Sequence, residues 1–137
     1  MDNSKTNPLI CEEYNCRGLN DAKKRNDAFH WLKTERKSAD IIVLTDTKCH
    51  KSVDKEIWAK EWSSEETDSI WSLGKGGSRG VAILITHKFK RREGELIHTE
   101  SDSDGRYVKV IVKIGDSNYR ILGIYAPNKK KDIFQEF

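Results

Sequence analysis

Long hydrophobic runs are absent from this sequence. The longest are Ile41–Leu44 and Val81–Ile85, far below the roughly 20 residues that a helix needs to cross a bilayer. The opening stretch, MDNSKTNPLI, has no basic segment followed by an apolar one, so it does not indicate a signal peptide. We therefore expect an intracellular protein, nuclear or cytoplasmic, that makes no membrane contact.

Cysteine is also scarce. Cys11, Cys16 and Cys49 are odd in number and form no C-x-x-C pair, which argues against a disulfide framework and for a reducing compartment. The Lys48-Cys49-His50 run contains two soft-metal ligands, but no second Cys/His pair is spaced to complete a tetrahedral zinc site.

A strong excess of one charge is missing as well. The 137 residues include 25 basic and 22 acidic side chains, for a net charge of +3, and 36% are apolar. This balance permits a nucleic-acid partner without requiring one, and a heavily solvated surface is the simpler explanation of so many charges. The length fits one domain. Because no repeat or linker divides the chain, we treat residues 1–137 as that domain.

What the sequence does contain is an α/β pattern. Apolar spacing predicts strand, helix, strand, helix and then a meander of strands. Asn20 or Asp21 caps the first helix, and Ser52 caps the second. The runs at 41–44 and 81–85 lack polar alternation, which predicts strands buried on both faces. Predicted bounds are 9–16 for the first strand, about 37 for the end of the first helix, 52–62 for the second helix, and 106–114 and 119–125 for the last strands. These elements predict a mixed, largely antiparallel sheet with helices on one face.

Four stretches place polar residues next to predicted strands: YNCRGLN (14–20), LTDTK (44–48), SRGVAILI (78–85) and IYAPN (124–128). Polar side chains at strand ends converge on one rim of a sheet, where α/β sites form. In order and spacing, over residues 9–137, the four stretches resemble the exonuclease–endonuclease–phosphatase superfamily. The resemblance is specifically to the apurinic-like endonuclease domain of LINE-type non-LTR retrotransposons.

The resemblance implies a role for four residues. Asn15 matches the asparagine that helps to hold the metal and the scissile phosphate, and Asp46 stands where the family has its metal-binding glutamate. Tyr125 matches the tyrosine beside the phosphate, and Asn128 closes the same turn. The implied cofactor is magnesium, held by Asp46 and Asn15. Each residue also has a plain structural explanation: a turn for Asn15, a cap or surface carboxylate for Asp46 and a sheet-edge plug for Tyr125.

The sequence also departs from the family. Asp46 is one methylene shorter than glutamate, which places it poorly for the strict octahedral geometry of magnesium. The family's Gly-Asp-Phe-Asn and Ser-Asp-His segments would lie after residue 137. Gly115–Asn118 imitates the first of these in letters but precedes Tyr125. We therefore expect a truncated domain, one half of a four-layer α/β sandwich.

Three functions follow from this resemblance. The first is an endonuclease-derived binding or interaction module, for DNA or a protein, that lacks cleavage activity on its own. The alternative is a magnesium-dependent DNA endonuclease completed by a partner chain, and the third is an element remnant whose fold alone survives. The cations that we expect to contact nucleic acid are Arg17, Lys48, Arg79, Lys129 and Lys130, with Lys75 and Lys131 beside them.

Two further expectations concern surfaces. If the family's second sheet is not encoded, the strands at 41–44 and 81–85 keep one bare apolar face, which predicts a homodimer or an obligate partner. Val108, Val110, Val112 and Ile114 would contribute to that interface. Separately, HKFKRREG (87–94) is either a phosphate-contacting run or a solvated basic turn.

Overall fold

The computed structural model describes residues 7–126, except the side chain of Glu66. The helices are α1 (Ala22–Glu35), α2 (Ser52–Trp62) and α3 (His87–Arg91), with a 3₁₀ turn at Glu66–Asp68. The strands are β1 (Cys11–Asn15), β2 (Ile41–Thr45), β3 (Ser69–Ser72), β4 (Val81–Ile85), β5 (Glu95–Ser101), β6 (Tyr107–Ile114) and β7 (Ser117–Ile124). Within residues 7–126, no helix is long and apolar enough to span a membrane.

The strands form two sheets. The first has the order β1-β2-β4-β3, with β1 and β2 parallel and the other pairs antiparallel. The second is the antiparallel meander β5-β6-β7. The predicted mixed, largely antiparallel α/β class is confirmed, and the meander forms a separate sheet.

The four-stranded sheet is buried on both faces because β2 and β4 are apolar throughout. Ile42 and Leu44 of β2 pack toward α1 and α2, together with Trp58 and Trp62. The alternate residues of these two strands face the opposite way and pack against the second sheet: Ile41, Val43, Val81, Ile83 and Ile85. All ten residues of β2 and β4 are buried, as the unbroken apolar runs predict.

The second sheet therefore covers the face of the first sheet that the helices leave free. The expectation of a bare apolar face is wrong. Val108, Val110, Val112 and Ile114 alternate inward along β6 and are at most 1% exposed, packed against Ile41 and its neighbours. They cannot line an intermolecular interface in this fold. Sequence periodicity identified the buried side of β6 but not the partner that buries it.

Of the two predicted helix caps, one is confirmed. Asp21 caps α1 by accepting a hydrogen bond from the Lys23 N–H at 3.0 Å. Ser52 is not a cap: it is the first helical residue of α2, and Lys51 precedes it without a side-chain cap bond. Helix α1 ends at Glu35, two residues before the predicted end.

Candidate functional site

Backbone hydrogen bonds join the four polar stretches into one rim. Gly18 N donates to Asp46 O at 2.7 Å, which ties the loop after β1 to the loop after β2. Lys48 N then donates to Arg79 O at 2.7 Å, linking the second loop to the residues before β4. We call residues 15–18, 46–48, 79–80 and 105–106, with Tyr125, the rim.

This series of backbone hydrogen bonds between loops, which we call the backbone ladder, continues to the end of β7. Gly80 N donates to Gly105 O at 3.0 Å, and Tyr125 N donates to Arg106 O at 2.8 Å. The polar stretches, which span more than 100 residues of sequence, therefore meet at one end of the sheets. This convergence is what the strand-end rule predicts.

Four residues of the rim hold a left-handed backbone: Arg17 (φ 52°), Asp46 (54°), Lys48 (62°) and Arg79 (67°). Within residues 7–126 the one other non-glycine residue with positive φ is Glu93. This conformation costs a non-glycine residue roughly 1–3 kcal/mol and persists only where surrounding structure enforces it. Here the backbone ladder enforces it, at positions that the sequence had singled out as site residues.

Gly80 makes the close approach of two loops possible. Its φ is +100°, and a Cβ at this position would lie 2.3 Å from Thr47 Oγ1 and 3.1 Å from Lys48 N. A side chain would therefore push apart the loops that carry Asp46 and Arg79.

Asn15 and Asp46 lie at the ends of adjacent parallel strands. Asn15 is exposed, and its Oδ1 accepts a hydrogen bond from Arg17 N at 3.1 Å. Asp46 is 8% exposed, and within residues 7–126 its carboxylate makes no hydrogen bond or ion pair. Neither carboxylate oxygen of Asp46 is fully enclosed, so this side chain remains an acceptor that a cation or a donor at the rim can reach.

Cys16 lies beside this carboxylate. Burial, opposed by the Lys24 charge and aided by the Asp46 charge, raises the pKa of the Cys16 thiol to about 12. Burial likewise raises the pKa of the Cys49 thiol to about 12. Because thiolate is the nucleophilic form, neither cysteine is prepared for nucleophilic attack at neutral pH.

The predicted nucleic-acid-contacting cations fall into two groups. Arg17 and Lys48 make no ion pair with other described residues, and the aliphatic stem of Lys48 lies next to Gly18. Arg79 instead pairs with Asp104 at 3.1 Å, where Lys75 (3.5 Å) and Arg106 (2.9 Å) also converge. These three cations hold the pKa of Asp104 below its usual value, the Arg106 hydrogen bond most strongly.

Sequence reasoning missed two members of this neighbourhood. Lys24 Nζ donates to Cys16 O at 2.9 Å, from the first turn of α1. Asp104 belongs to the SDSDG segment (101–105), which connects β5 to β6. Lys24 was detectable because a lysine in the first turn of a helix lies near the loop that enters it. No local signal placed Asp104 beside Arg79, 25 residues away.

Tyr125 is half-buried and packs against the core between the sheets. Its backbone lies on the rim, but its hydroxyl makes no hydrogen bond with another described residue. The predicted Asn128, Lys129, Lys130 and Lys131 lie outside the described residues.

The rim does not form a complete magnesium site from the described residues. Asn15 and Asp46 offer two oxygen-bearing side chains, and the Asn15 oxygen already accepts a hydrogen bond. No group of three or more His, Cys, Asp or Glu side chains in residues 7–126 is arranged to hold a metal. Magnesium needs octahedral coordination, with protein carboxylates supplemented by water and substrate phosphates.

No known family model matches the chain. Among solved structures, it is similar to the AP endonuclease LMAP from Leishmania major, with 16% sequence identity and a TM-score of 0.58. The match covers 93% of this chain and 42% of the AP endonuclease chain. At this identity the match shows the fold. The chain thus has an AP-endonuclease-like α/β fold and spans less than half the length of that structure.

Proposed function

We propose that the protein is a retrotransposon-endonuclease-derived module whose rim binds the DNA backbone and which does not cleave DNA on its own. The observation that carries this proposal is the enforced left-handed backbone at Arg17, Asp46, Lys48 and Arg79. Strained residues held by a hydrogen-bond ladder cluster at binding and active sites. Under this proposal the protein acts inside the cell, in the nucleus or cytoplasm.

Two cations at the rim suit phosphate contacts. Arg17 and Lys48 flank Asp46 and have no carboxylate partner among the described residues. Arg79 and Lys75 are held by Asp104, so we assign them a supporting role. Backbone contacts through unpaired cations bind DNA with little sequence preference and with a strong dependence on salt.

The chemistry of the rim supports the proposal that the chain alone does not cleave DNA. Phosphodiester hydrolysis by a metal ion requires a held metal and an activated water. Of the described residues, Asn15 and Asp46 alone bring side-chain oxygens to this part of the rim, and two ligands are too few for tight magnesium binding. Loss of even one acid or base group costs typically 10²–10⁴-fold in rate.

The second candidate is a magnesium-dependent endonuclease completed by residues from a partner chain. The Asp46 carboxylate favours it, because this carboxylate has no partner among the described residues and is open to a cation at the rim. The experiment below separates the two candidates.

DNA binding is tested by fluorescence anisotropy with a labelled duplex over a range of salt concentrations. The variant R17Q/K48Q should bind roughly tenfold or more weakly and reduce the slope of log affinity against log salt by about 2. The control K109Q/K113Q removes two charges from β6 instead and should leave both quantities unchanged. Equal losses in the two variants, or sequence-selective binding that survives high salt, would contradict the rim as the interface.

Cleavage is tested by nicking of supercoiled plasmid with magnesium or manganese. We expect no nicking above background by the chain alone. Nicking that disappears in Asp46→Ala would overturn this part of the proposal and favour the second candidate, with another copy of this chain as the partner. Calorimetric titration with magnesium should show millimolar or weaker affinity.

A further inference from the structure

A cavity of about 160 Å³ opens at the end of the first sheet that faces away from the rim. The register pairs Ile85, at the end of β4, with Ile41, at the start of β2. Asp46 follows the other end of β2, so the length of a five-residue strand, roughly 13 Å, separates the two places. The cavity floor is apolar, formed by Leu32, Trp62 and Ile85.

The walls of this cavity are strongly basic. Among the described lining residues the one acid is Asp68, which is buried and already paired with Lys90 and Ser63. The basic lining residues are Lys33, Arg36, Lys37, His87, Lys88, Lys90 and Arg91.

Some of these cations are already engaged. Arg36 pairs with Glu12, and Lys88 Nζ donates to Ser38 O at 2.7 Å. Lys90 is held by Glu65 as well as Asp68. These contacts fix the walls and leave a second group of cations uncompensated.

That second group is Lys33, Lys37 and Arg91. Within residues 7–126 none of the three has a carboxylate partner. Lys33 Nζ donates to the Glu61 carbonyl at 3.2 Å and lies 5.1 Å from the centroid of the Trp62 ring. Partial desolvation lowers the pKa of Lys33, although the residue as a whole remains exposed.

Buried residues in and next to the basic run at 87–94 anchor this run to the core. Thr86 Oγ1 caps α3 by accepting from Phe89 N at 3.3 Å, and it donates to Ala39 O at 2.7 Å. Phe89 packs in the core between the sheets. Arg92 forms a buried ion pair with Asp40 at 2.8 Å. With those residues anchored, Lys88, Lys90 and Arg91 are held at the cavity wall.

We propose that this cavity binds a phosphate group, with Lys33, Lys37 and Arg91 as its ligands. A phosphate offers several strong acceptors and a negative charge that complements three exposed cations without carboxylate partners, and a guanidinium can hold two of its oxygens at once. The site shares no residue with the rim and does not depend on the DNA-binding proposal. Its phosphate comes either from a small molecule or from a nucleic-acid backbone.

The test is ¹⁵N–¹H NMR titration of the full chain with inorganic phosphate and, separately, with a short duplex DNA. We expect phosphate to shift the amides of residues 33–37 and 86–91 and to leave those of 15–18 and 46–48 unchanged. The variant K37Q/R91Q should weaken this binding roughly tenfold, since it removes two charge-assisted contacts. The control K109Q/K113Q, with the same loss of charge on β6, should bind as the unmodified chain does.

The two titrations identify the source of the phosphate. Shifts at the cavity with both ligands assign it to a nucleic-acid backbone, and shifts with inorganic phosphate alone assign it to a small molecule. No shift at the cavity with either ligand overturns the proposal, as does an unchanged affinity in K37Q/R91Q. Because the unmodified chain is mapped directly, the result stands even if the variant folds poorly.

Discussion

At the scale of single residues, Glu12 shows how a charge that interrupts a strand can stabilise it. Glu12 and Glu13 are two consecutive charged residues inside β1. In the structure, Arg36 Nε donates to the Glu12 carboxylate at 2.9 Å and the Tyr14 hydroxyl donates to it at 2.7 Å. These two hydrogen bonds, that from Arg36 first, lower the pKa of Glu12 from 4.5 to about 2.

This shift predicts a loss of stability in acid. Because the pKa is lower in the folded state, Glu12 contributes its full stabilisation above the unfolded value of 4.5 and loses it as the pH falls toward about 2. Glu12→Gln should lower the free energy of unfolding by about 1–2 kcal/mol at neutral pH, allowing for the partly exposed Arg36. Its difference from the unmodified chain should vanish near the lower limit of that range.

Urea unfolding at several pH values measures this difference. Glu13→Gln, on the exposed face of the same strand, is the matched control and should change stability by less than about 0.5 kcal/mol. A pH-independent gap between Glu12→Gln and the unmodified chain would show that packing, rather than charge, explains the effect.

At the scale of elements, the loops between strands decide the geometry of the rim. Gly80 allows the loop before β4 to lie against the loop after β2. Gly77 belongs to the same loop, but a Cβ there meets nothing within 4 Å. The two glycines therefore have different physical roles although the sequence around them is uniformly glycine-rich.

This difference predicts opposite outcomes for one substitution. Gly80→Ala should destabilise the protein by about 2 kcal/mol or more, because it combines a left-handed backbone with a clash at Thr47. Gly77→Ala should be neutral or slightly stabilising. Thermal and urea unfolding of both variants measure the effect, and equal stabilities would contradict a rim held together at Gly80.

At the scale of the whole molecule, the second sheet covers the face of the first sheet that was expected to bind a partner, so a partner has to bind elsewhere. The homodimer stays a proposal, with its interface moved to β7, which pairs only with β6 in the described part of the chain. Leu122 and Ile124 face outward from β7 and are 55% and 54% exposed. Antiparallel pairing of two β7 strands would be isologous, as a two-fold dimer requires.

Light scattering at micromolar concentration tests this proposal. We expect a dimer that becomes monomeric in L122K/I124K, because charged residues on an edge strand prevent pairing between sheets. I57K, on the exposed side of α2, is the control for the loss of one large exposed apolar side chain. A folded monomer for the unmodified chain would contradict pairing through β7 and show that the second sheet alone covers the apolar core.

The sequence by itself determined the buried strands, the inward face of β6 and the order of the four polar stretches. These follow from local periodicity and from turn residues, which act within a few positions of the chain. Only the tertiary structure decided that the meander folds back as a second sheet over Ile41 and Val43 and that Asp104 holds Arg79. It also decided that Lys33, Lys37 and Arg91 share one cavity. Those outcomes depend on the path of the chain between elements distant in sequence, and a pattern that reports which face is buried contains no information about what buries it.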